Sequence, residues 1–145
     1  MNTKSSEEKI QKLFKKNAVI LAYLFGSHAQ MAATQSSDVD IALLFKNSLT
    51  KRERFDKKCF LSHELSKIYK TTVDLVILND TTSSFFKYVI IKEGRMLFEK
   101  SDDIRILFEE ETLSSYFDFE TFHTLYNNVY VKTGLQQDRG KTSTT

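Results

Sequence analysis

Two aspartates separated by one residue, Asp38 and Asp40, follow the pair Gly26-Ser27 after ten intervening positions, and a third acid, Asp74, stands inside the apolar run Thr72-Val73-Asp74-Leu75-Val76-Ile77-Leu78. In an extended strand, residues i and i+2 point to the same face about 6.5 to 7 Å apart, so the carboxylates of Asp38 and Asp40 can converge on a pair of metal ions roughly 4 Å apart. Hard oxygen donors of this kind suit Mg²⁺, which binds through one or two carboxylates plus substrate phosphates. A glycine at the end of a buried strand permits a tight turn and a close backbone approach, and a serine after it can open a helix whose free N–H groups favour an anion. Gly26 and Ser27 are therefore candidates for holding a triphosphate. Burial of Asp74 without a partner would be costly. If its strand lies beside that of Asp40, it can reach the same metal pair and take the proton of an attacking hydroxyl, which makes it the candidate general base.

Taken singly, these features are weak. A Gly-Ser pair is common in loops, and Asp-x-Asp at a strand start is often a turn or a cap. Their combination carries the functional reading: a buried strand, Gly-Ser, a short helix, a strand opening with Asp-x-Asp, and a later acid in a third strand. His28, His63 and His123 share no metal-ligand spacing, so a zinc site is not expected, and only His28 is near enough to the Gly-Ser turn to contact a substrate.

The elements that must position these groups follow from periodicity. Ile10, Leu13 and Phe14 have helical spacing within a charged segment from about Ser6 to Lys16. The run Ala18 to Phe25 reads as a strand buried on both faces. Ser27 caps about two helical turns over His28 to Ala33, the polar stretch Thr34 to Ser37 breaks the chain, and a second strand is expected from Asp38 to Phe45. Thr50 to Lys70 reads as an amphipathic helix with Phe55, Cys59, Leu61, Leu65, Ile68 and Tyr69 on one broad face, Cys59 being a small buried residue there. A third strand covers Thr72 to Leu78, a short helix Ser83 to Lys92 is closed by Gly94, and a strand runs from Arg95 to Glu99. From Asp102 two helices are expected. Leu113, Tyr116 and Phe117 leave the stripe set by Ile104, Leu107, Phe108, Phe122, Leu125, Tyr126 and Val129, which suggests a break near Ser114 to Asp118. The aromatic series from Tyr116 to Tyr130 suits helix packing better than base stacking, with part of it available to a partner protein. Alternating strands and helices define an α/β sandwich; element order alone does not say which strands are parallel.

Composition sets the outer bounds. The chain of 145 residues, 41% hydrophobic and 28% charged, is ordinary for one soluble domain. That domain is expected over residues 1–135, with the polar Gln136 to Thr145 as a disordered tail. The apolar run Ala18 to Phe25 is too short to span a bilayer and the N-terminus lacks the core of a signal peptide, so a cytoplasmic location is expected. A formal charge of +2, spread along the chain, gives no ground for direct nucleic-acid binding.

Gly26-Ser27, ten residues and Asp38-x-Asp40 resemble the signature of the DNA polymerase β-like nucleotidyltransferase superfamily. Tyr23-Leu24-Phe25, the strand Asp38 to Leu44, Val73-Asp74-Leu75-Val76, the segment Glu93 to Glu99 and Tyr116-Phe117-Asp118-Phe119 narrow the likeness. Between about Leu13 and Val131 the chain resembles the minimal nucleotidyltransferases, in particular the MntA-type antitoxins of type VII HEPN/MNT toxin–antitoxin pairs. The resemblance implies a small mixed β-sheet flanked by helices, with C-terminal helices. It also implies an enzyme that uses ATP and Mg²⁺ to move AMP, as one or several units, onto a tyrosine of a HEPN ribonuclease toxin, silencing it within a hetero-oligomer. On the matching positions Asp38, Asp40 and Asp74 would hold the metal, with Asp74 also activating the acceptor, while Gly26 and Ser27 would hold the triphosphate. Where many relatives carry arginines just after the Gly-Ser, this chain has His28, Gln30 and Met31. Three alternatives stay in view: neutralisation of the toxin by binding alone, transfer to another acceptor such as an RNA end or a small molecule, and a structural remnant with a broken active site, against which the intact carboxylates argue.

Overall fold

The computed structural model describes residues 3–26 and 38–128. In chain order these form α1 (Thr3–Lys16), β1 (Val19–Phe25), β2 (Val39–Phe45), α2 (Lys51–Tyr69), β3 (Val73–Ile77), a 3₁₀ turn (Leu78–Asp80), α3 (Ser84–Glu93), β4 (Arg95–Glu99) and α4 (Asp102–Tyr126). The sheet order is β3-β2-β1-β4. β2 and β3 are parallel, with α2 as the crossover such a pair needs, while β1 is antiparallel to both β2 and β4. The sheet is therefore mixed. Ser27, the helix expected after it and the C-terminal tail lie outside the described residues, as do Val129, Tyr130 and the side chains of Phe119, Phe122 and Leu125. No helix among the described residues is long and apolar enough to cross a membrane.

Both faces of the sheet are covered, which is why the strands read as nearly unbroken apolar runs. Val39, Ile41, Leu43 and Phe45 of β2 point to one side, where they pack with Val73 and Leu75 of β3, Ile10 and Phe14 of α1, and Leu61 and Leu65 of α2. The alternate residue Ala42 points to the other side, with Leu21 and Tyr23 of β1 and Ile90 of α3; Ile104 and Phe108 of α4 close that layer. A register shift between Val19 and Leu21 re-aims β1, so that Val19, Ala22 and Leu24 meet the first core and Leu21 and Tyr23 the second. Each large side chain fully removed from water here contributes about 1.5 to 3 kcal/mol of transfer free energy before entropy is counted.

Polar residues fix the helix ends. Thr50 and Glu53 form a reciprocal capping box at the start of α2, the Glu53 N–H donating to Thr50 Oγ1 (3.1 Å) and the Thr50 N–H to Glu53 Oε1 (2.8 Å). Ser83 and Ser101 cap α3 and α4 in the same sense, their hydroxyls accepting from Phe86 and Ile104. Gly94 ends α3 with an extended backbone, so its lack of a side chain matters for space: a Cβ there would lie 2.5 Å from the Ile90 carbonyl oxygen and 3.1 Å from that of Leu24.

Two expectations need correction. α4 is one continuous helix through Ser114 to Asp118. Leu113, Tyr116 and Phe117 leave the stripe because α4 changes partner along its length. Its first turns pack on the sheet through Ile104 and Phe108, and further on Tyr116 stacks on Tyr88 of α3 with ring centroids 4.3 Å apart. Cys59 is exposed, and so is Phe55. At about 100° per residue Cys59 lies roughly 160° and Phe55 roughly 120° around the helix from Leu61, outside the arc that Leu61, Leu65, Ile68 and Tyr69 turn toward the sheet.

A chain of polar contacts ties α4 to β1 and β4. The Tyr23 hydroxyl donates to Glu109 Oε2 (2.8 Å), and Arg105 bridges Glu99 (2.7 Å) and Glu109 (3.4 Å). Burial, reinforced by the bond to the Glu109 carboxylate, raises the Tyr23 phenol well above the usual tyrosine range. An unfolded tyrosine ionises near pH 10, so the unfolded state loses this proton first as pH rises. The contribution is thus complete below about pH 10 and declines above it. Tyr23→Phe should cost about 1.5 to 3 kcal/mol at pH 7, the value of a hydrogen bond to a charged group, and should make the alkaline decline shallower. Urea unfolding at pH 7 and pH 11 measures both; an equally steep decline in the variant would place the alkaline sensitivity elsewhere.

Candidate active site

Three strands bring Gly26, Asp40 and Asp74 to one end of the sheet. Phe25 near the end of β1 is the register partner of Asp40 near the start of β2, and Asp40 is the partner of Asp74 in β3. Register partners on neighbouring strands share a face. That face is the one carrying α3, since the Phe25 ring meets Phe86 edge-on at 5.9 Å. Asp40 is half-buried and Asp74 exposed. Asp38 precedes β2 by one residue and is exposed, leaving the strand to begin at Val39, whose N–H donates to the Thr72 carbonyl at 3.0 Å.

Gly26 turns the chain out of β1 with φ of 75°, a left-handed conformation that glycine adopts without steric cost. A Cβ built on it would stand 2.6 Å from Asp40 Oδ2. The Asp40 carboxylate therefore lies against bare backbone at the turn. The close approach expected of this glycine exists, and within the described residues its neighbour is the carboxylate.

Asp74 occupies a different setting from the one its sequence suggests. Its strand is apolar, yet Asp74 is exposed, because β3 is an edge strand and Val73 and Leu75 alone take the inward positions at this end. Desolvation does not single it out. Register with Asp40 does. Two residues that sequence reasoning missed hold it there: Ser62 Oγ donates to the Val73 carbonyl (2.8 Å), and Ser66 Oγ accepts from the Val73 N–H (3.1 Å). Spaced by four, they lie on one side of α2 and satisfy both backbone groups of the residue before Asp74. A serine pair at helical spacing beside an apolar stripe was the available signal.

The arrangement can offer carboxylate oxygens from two adjacent strands, with a third carboxylate two residues before Asp40. Among the described residues no group of three or more His, Cys, Asp or Glu side chains is assembled closely enough to hold a metal ion. The oxygen donors fit a hard cation that draws its remaining ligands from substrate phosphates and water. A cavity of about 630 Å³ lies elsewhere, between α3, α4 and the far end of β2, lined by Leu44, Asn79, Lys87, Phe108 and Thr112 among others. Leu44 is four residues along β2 from Asp40, roughly 13 Å at strand rise, so this cavity is separate from the aspartates.

A mixed four-stranded sheet with two aspartates abreast on its parallel strands, beside a glycine turn, is the framework of a small nucleotide-transferring enzyme. Residues 8–103 match the family model "Polymerase beta, Nucleotidyltransferase", and the chain belongs to that family. It is 30% identical over 139 residues to the protein adenylyltransferase MntA of Shewanella oneidensis, an alignment covering 94% of this chain and 96% of the relative. Among solved structures it resembles a toxin–antitoxin crystal structure with AMP-PNP, at a TM-score of 0.66 and 29% identity over 84% of this chain and 95% of that one. It also resembles a chain in the complex of a tri-AMPylated Shewanella oneidensis HEPN toxin with its MNT antitoxin, at a TM-score of 0.62 and 27% identity over 86% and 95% of the two chains.

Gly26→Ala tests the turn. A non-glycine residue in the left-handed region costs on the order of 1 to 3 kcal/mol, and here the methyl group must also displace the Asp40 carboxylate. The variant should unfold at lower urea concentration and bind ATP more weakly than its stability loss explains. Paired unfolding and calorimetric titrations check this, and unchanged nucleotide binding would detach the turn from the site.

Proposed function

We propose that the chain is the catalytic antitoxin of a HEPN/MNT pair, acting in the cytoplasm to transfer AMP from ATP to a tyrosine of its HEPN ribonuclease toxin. The observation that carries this reading is the in-register pairing of Asp40 with Asp74 in a chain alignable almost end to end with an adenylyltransferase. The ATP-analogue complex and the AMPylated toxin among its structural relatives support the donor and the acceptor class.

Asp38, Asp40 and Asp74 are assigned to Mg²⁺, and Gly26 with Ser27 to the triphosphate. When bound, the cation supplies charge neutralisation on the phosphates. The tyrosine oxygen attacks the α-phosphorus, the bond from that phosphorus to the bridging oxygen breaks, and pyrophosphate leaves. Asp74, exposed beside the half-buried Asp40, takes the tyrosine proton. Its exposure leaves room for a protein acceptor to reach it. Positioning and charge stabilisation account for most of the rate in such a transfer.

Asp38→Ala/Asp40→Ala and Asp74→Asn should each abolish transfer while leaving the unfolding transition in place. EDTA should stop the wild-type reaction, and added Mg²⁺ should restore it. Intact-mass measurement of the HEPN partner, incubated with the chain and ATP, reads the result as gains of AMP units. An active Asp74→Asn variant would remove the general-base assignment. A partner that stays unmodified but tightly bound would favour neutralisation by binding, and an RNA end or small molecule that gains AMP instead would change the acceptor.

A further inference from the structure

The cavity between the sheet, α3 and the first half of α4 has a volume of about 630 Å³. Small-molecule pockets run from roughly 300 to 1,000 Å³, and one water takes about 30 Å³, so a single bridging water does not fill it. Ile20 stands near the start of β1 and Leu44 near the end of β2, which puts the cavity at the end of the sheet away from Gly26 and Asp40. Leu44, Leu78 and Phe108 give it apolar lining.

One wall is α4. At about 100° per residue, Ile104, Phe108, Thr112 and Ser115 fall within about 80° of one another. The side of the helix that packs on the sheet through two apolar residues therefore continues into two hydroxyls where the cavity opens. Thr112 is only 4% exposed, and its hydroxyl has no hydrogen-bond partner among the described residues. A buried hydroxyl without a partner is costly, and valine would fill the same space without that cost, unless something in the cavity bonds to the threonine.

The facing wall is the start of α3. Ser84 opens this helix, whose first turn holds no acid, and Lys87 follows one turn later, half-buried and in no ion pair among the described residues. A helix N-terminus with a lysine beside it favours an anion. Two other polar groups of the lining are already engaged: Arg54 with Asp80 and the Leu49 carbonyl, and Asn79 with both backbone groups of Phe45. Glu111, the acid in the lining, is exposed on α4 and directs negative charge toward the α3 wall.

We propose that this cavity is a second, non-catalytic binding site for a small organic anion. A phosphate or carboxylate group meets Lys87 and Ser84, a ring-sized apolar body packs on Leu44 and Phe108, and an acceptor atom takes the Thr112 hydroxyl proton in a hydrogen bond. The site goes beyond the function proposed above and does not depend on it, since it shares no residue with the aspartate end of the sheet.

The test uses the full-length chain in EDTA, so that no divalent cation draws an anion to the aspartates. Phenyl phosphate, benzoate and uncharged benzyl alcohol are the probes, and amide chemical shifts in ¹H–¹⁵N spectra are the readout. Phenyl phosphate or benzoate should produce saturable shifts at Ser84 to Lys87 and Phe108 to Ser115, and the tighter of the two tells a phosphate monoester from a carboxylic acid. Benzyl alcohol should not saturate over the same concentrations. Lys87→Met should raise Kd about fivefold or more, and Glu111→Gln should lower it about twofold. Thr112→Val should raise Kd about threefold or more, yet without probe it should unfold at higher urea concentration than wild type. That opposition separates a binding group from a packing one. The proposal is overturned if no probe gives saturable shifts, if the shifts are confined to the Asp40 end, or if benzyl alcohol binds as tightly as the anions. A Thr112→Val chain that unfolds at lower urea concentration overturns it as well, because the hydroxyl then has its partner within the chain.

Discussion

The Asp40 carboxylate lies where a side chain on the neighbouring turn would have to be. Gly26 makes that position available twice over, through its left-handed backbone and through the absence of a Cβ that would sit 2.6 Å from Asp40 Oδ2. The constraint reaches outward through the sheet. Phe25 is the register partner of Asp40, and Asp40 of Asp74, so a one-residue slip between β1 and β2 would turn Asp40 into the α1/α2 core and Ile41 out of it. An uncompensated carboxylate among Phe14, Leu61 and Leu65 is prohibitive. Core packing and the position of the acids are thereby one condition.

That coupling explains the division of labour between the two layers. The α1/α2 side is closely filled and includes the inward row of β2, which sets the register. The α3/α4 side packs Tyr23, Ala42 and Ile90, and among the described residues Asp74 is exposed at the end of the sheet. A nucleotide-handling site needs such an arrangement, with a rigid sheet behind the carboxylates and solvent access in front of them. The edge position of β3 supplies the access. Ser62 and Ser66 supply the rigidity, because both backbone groups of Val73 are held by α2.

α4 joins these features to the outside. Its first turns are fastened to β1 and β4 by the Tyr23, Glu109, Arg105 and Glu99 chain, and its middle to α3 by the Tyr88–Tyr116 stack. With its inner side so held, Asp103, Ile106, Glu110 and Phe117 face solvent along one side of the helix. Much of its exposed apolar area is hard to account for by folding, since those residues gain little from burial in the chain itself.

The sequence by itself determined the strands and helices, because their signals are local. Apolar runs marked β1, β2 and β3, with ends within a residue or so of those observed, and β4 ran from Arg95 to Glu99 as expected; helical spacing located α1 and α2, and Gly94 the end of α3. The Gly26 turn and the candidate acids were legible for the same reason, as residue types at fixed spacing. What only the tertiary structure decided depends on partners far along the chain. The pairing of β3 beside β2, which sets Asp74 against Asp40, and the exposure of Asp74 on an edge strand are facts of sheet order. α4 is continuous although its apolar stripe shifts, because its packing partner changes from the sheet to α3. Cys59 and Phe55 share a broad apolar arc with Leu61 and Leu65 in the sequence, but only part of that arc meets the sheet. Periodicity records which side chains share a face; burial depends on what the rest of the chain brings against it.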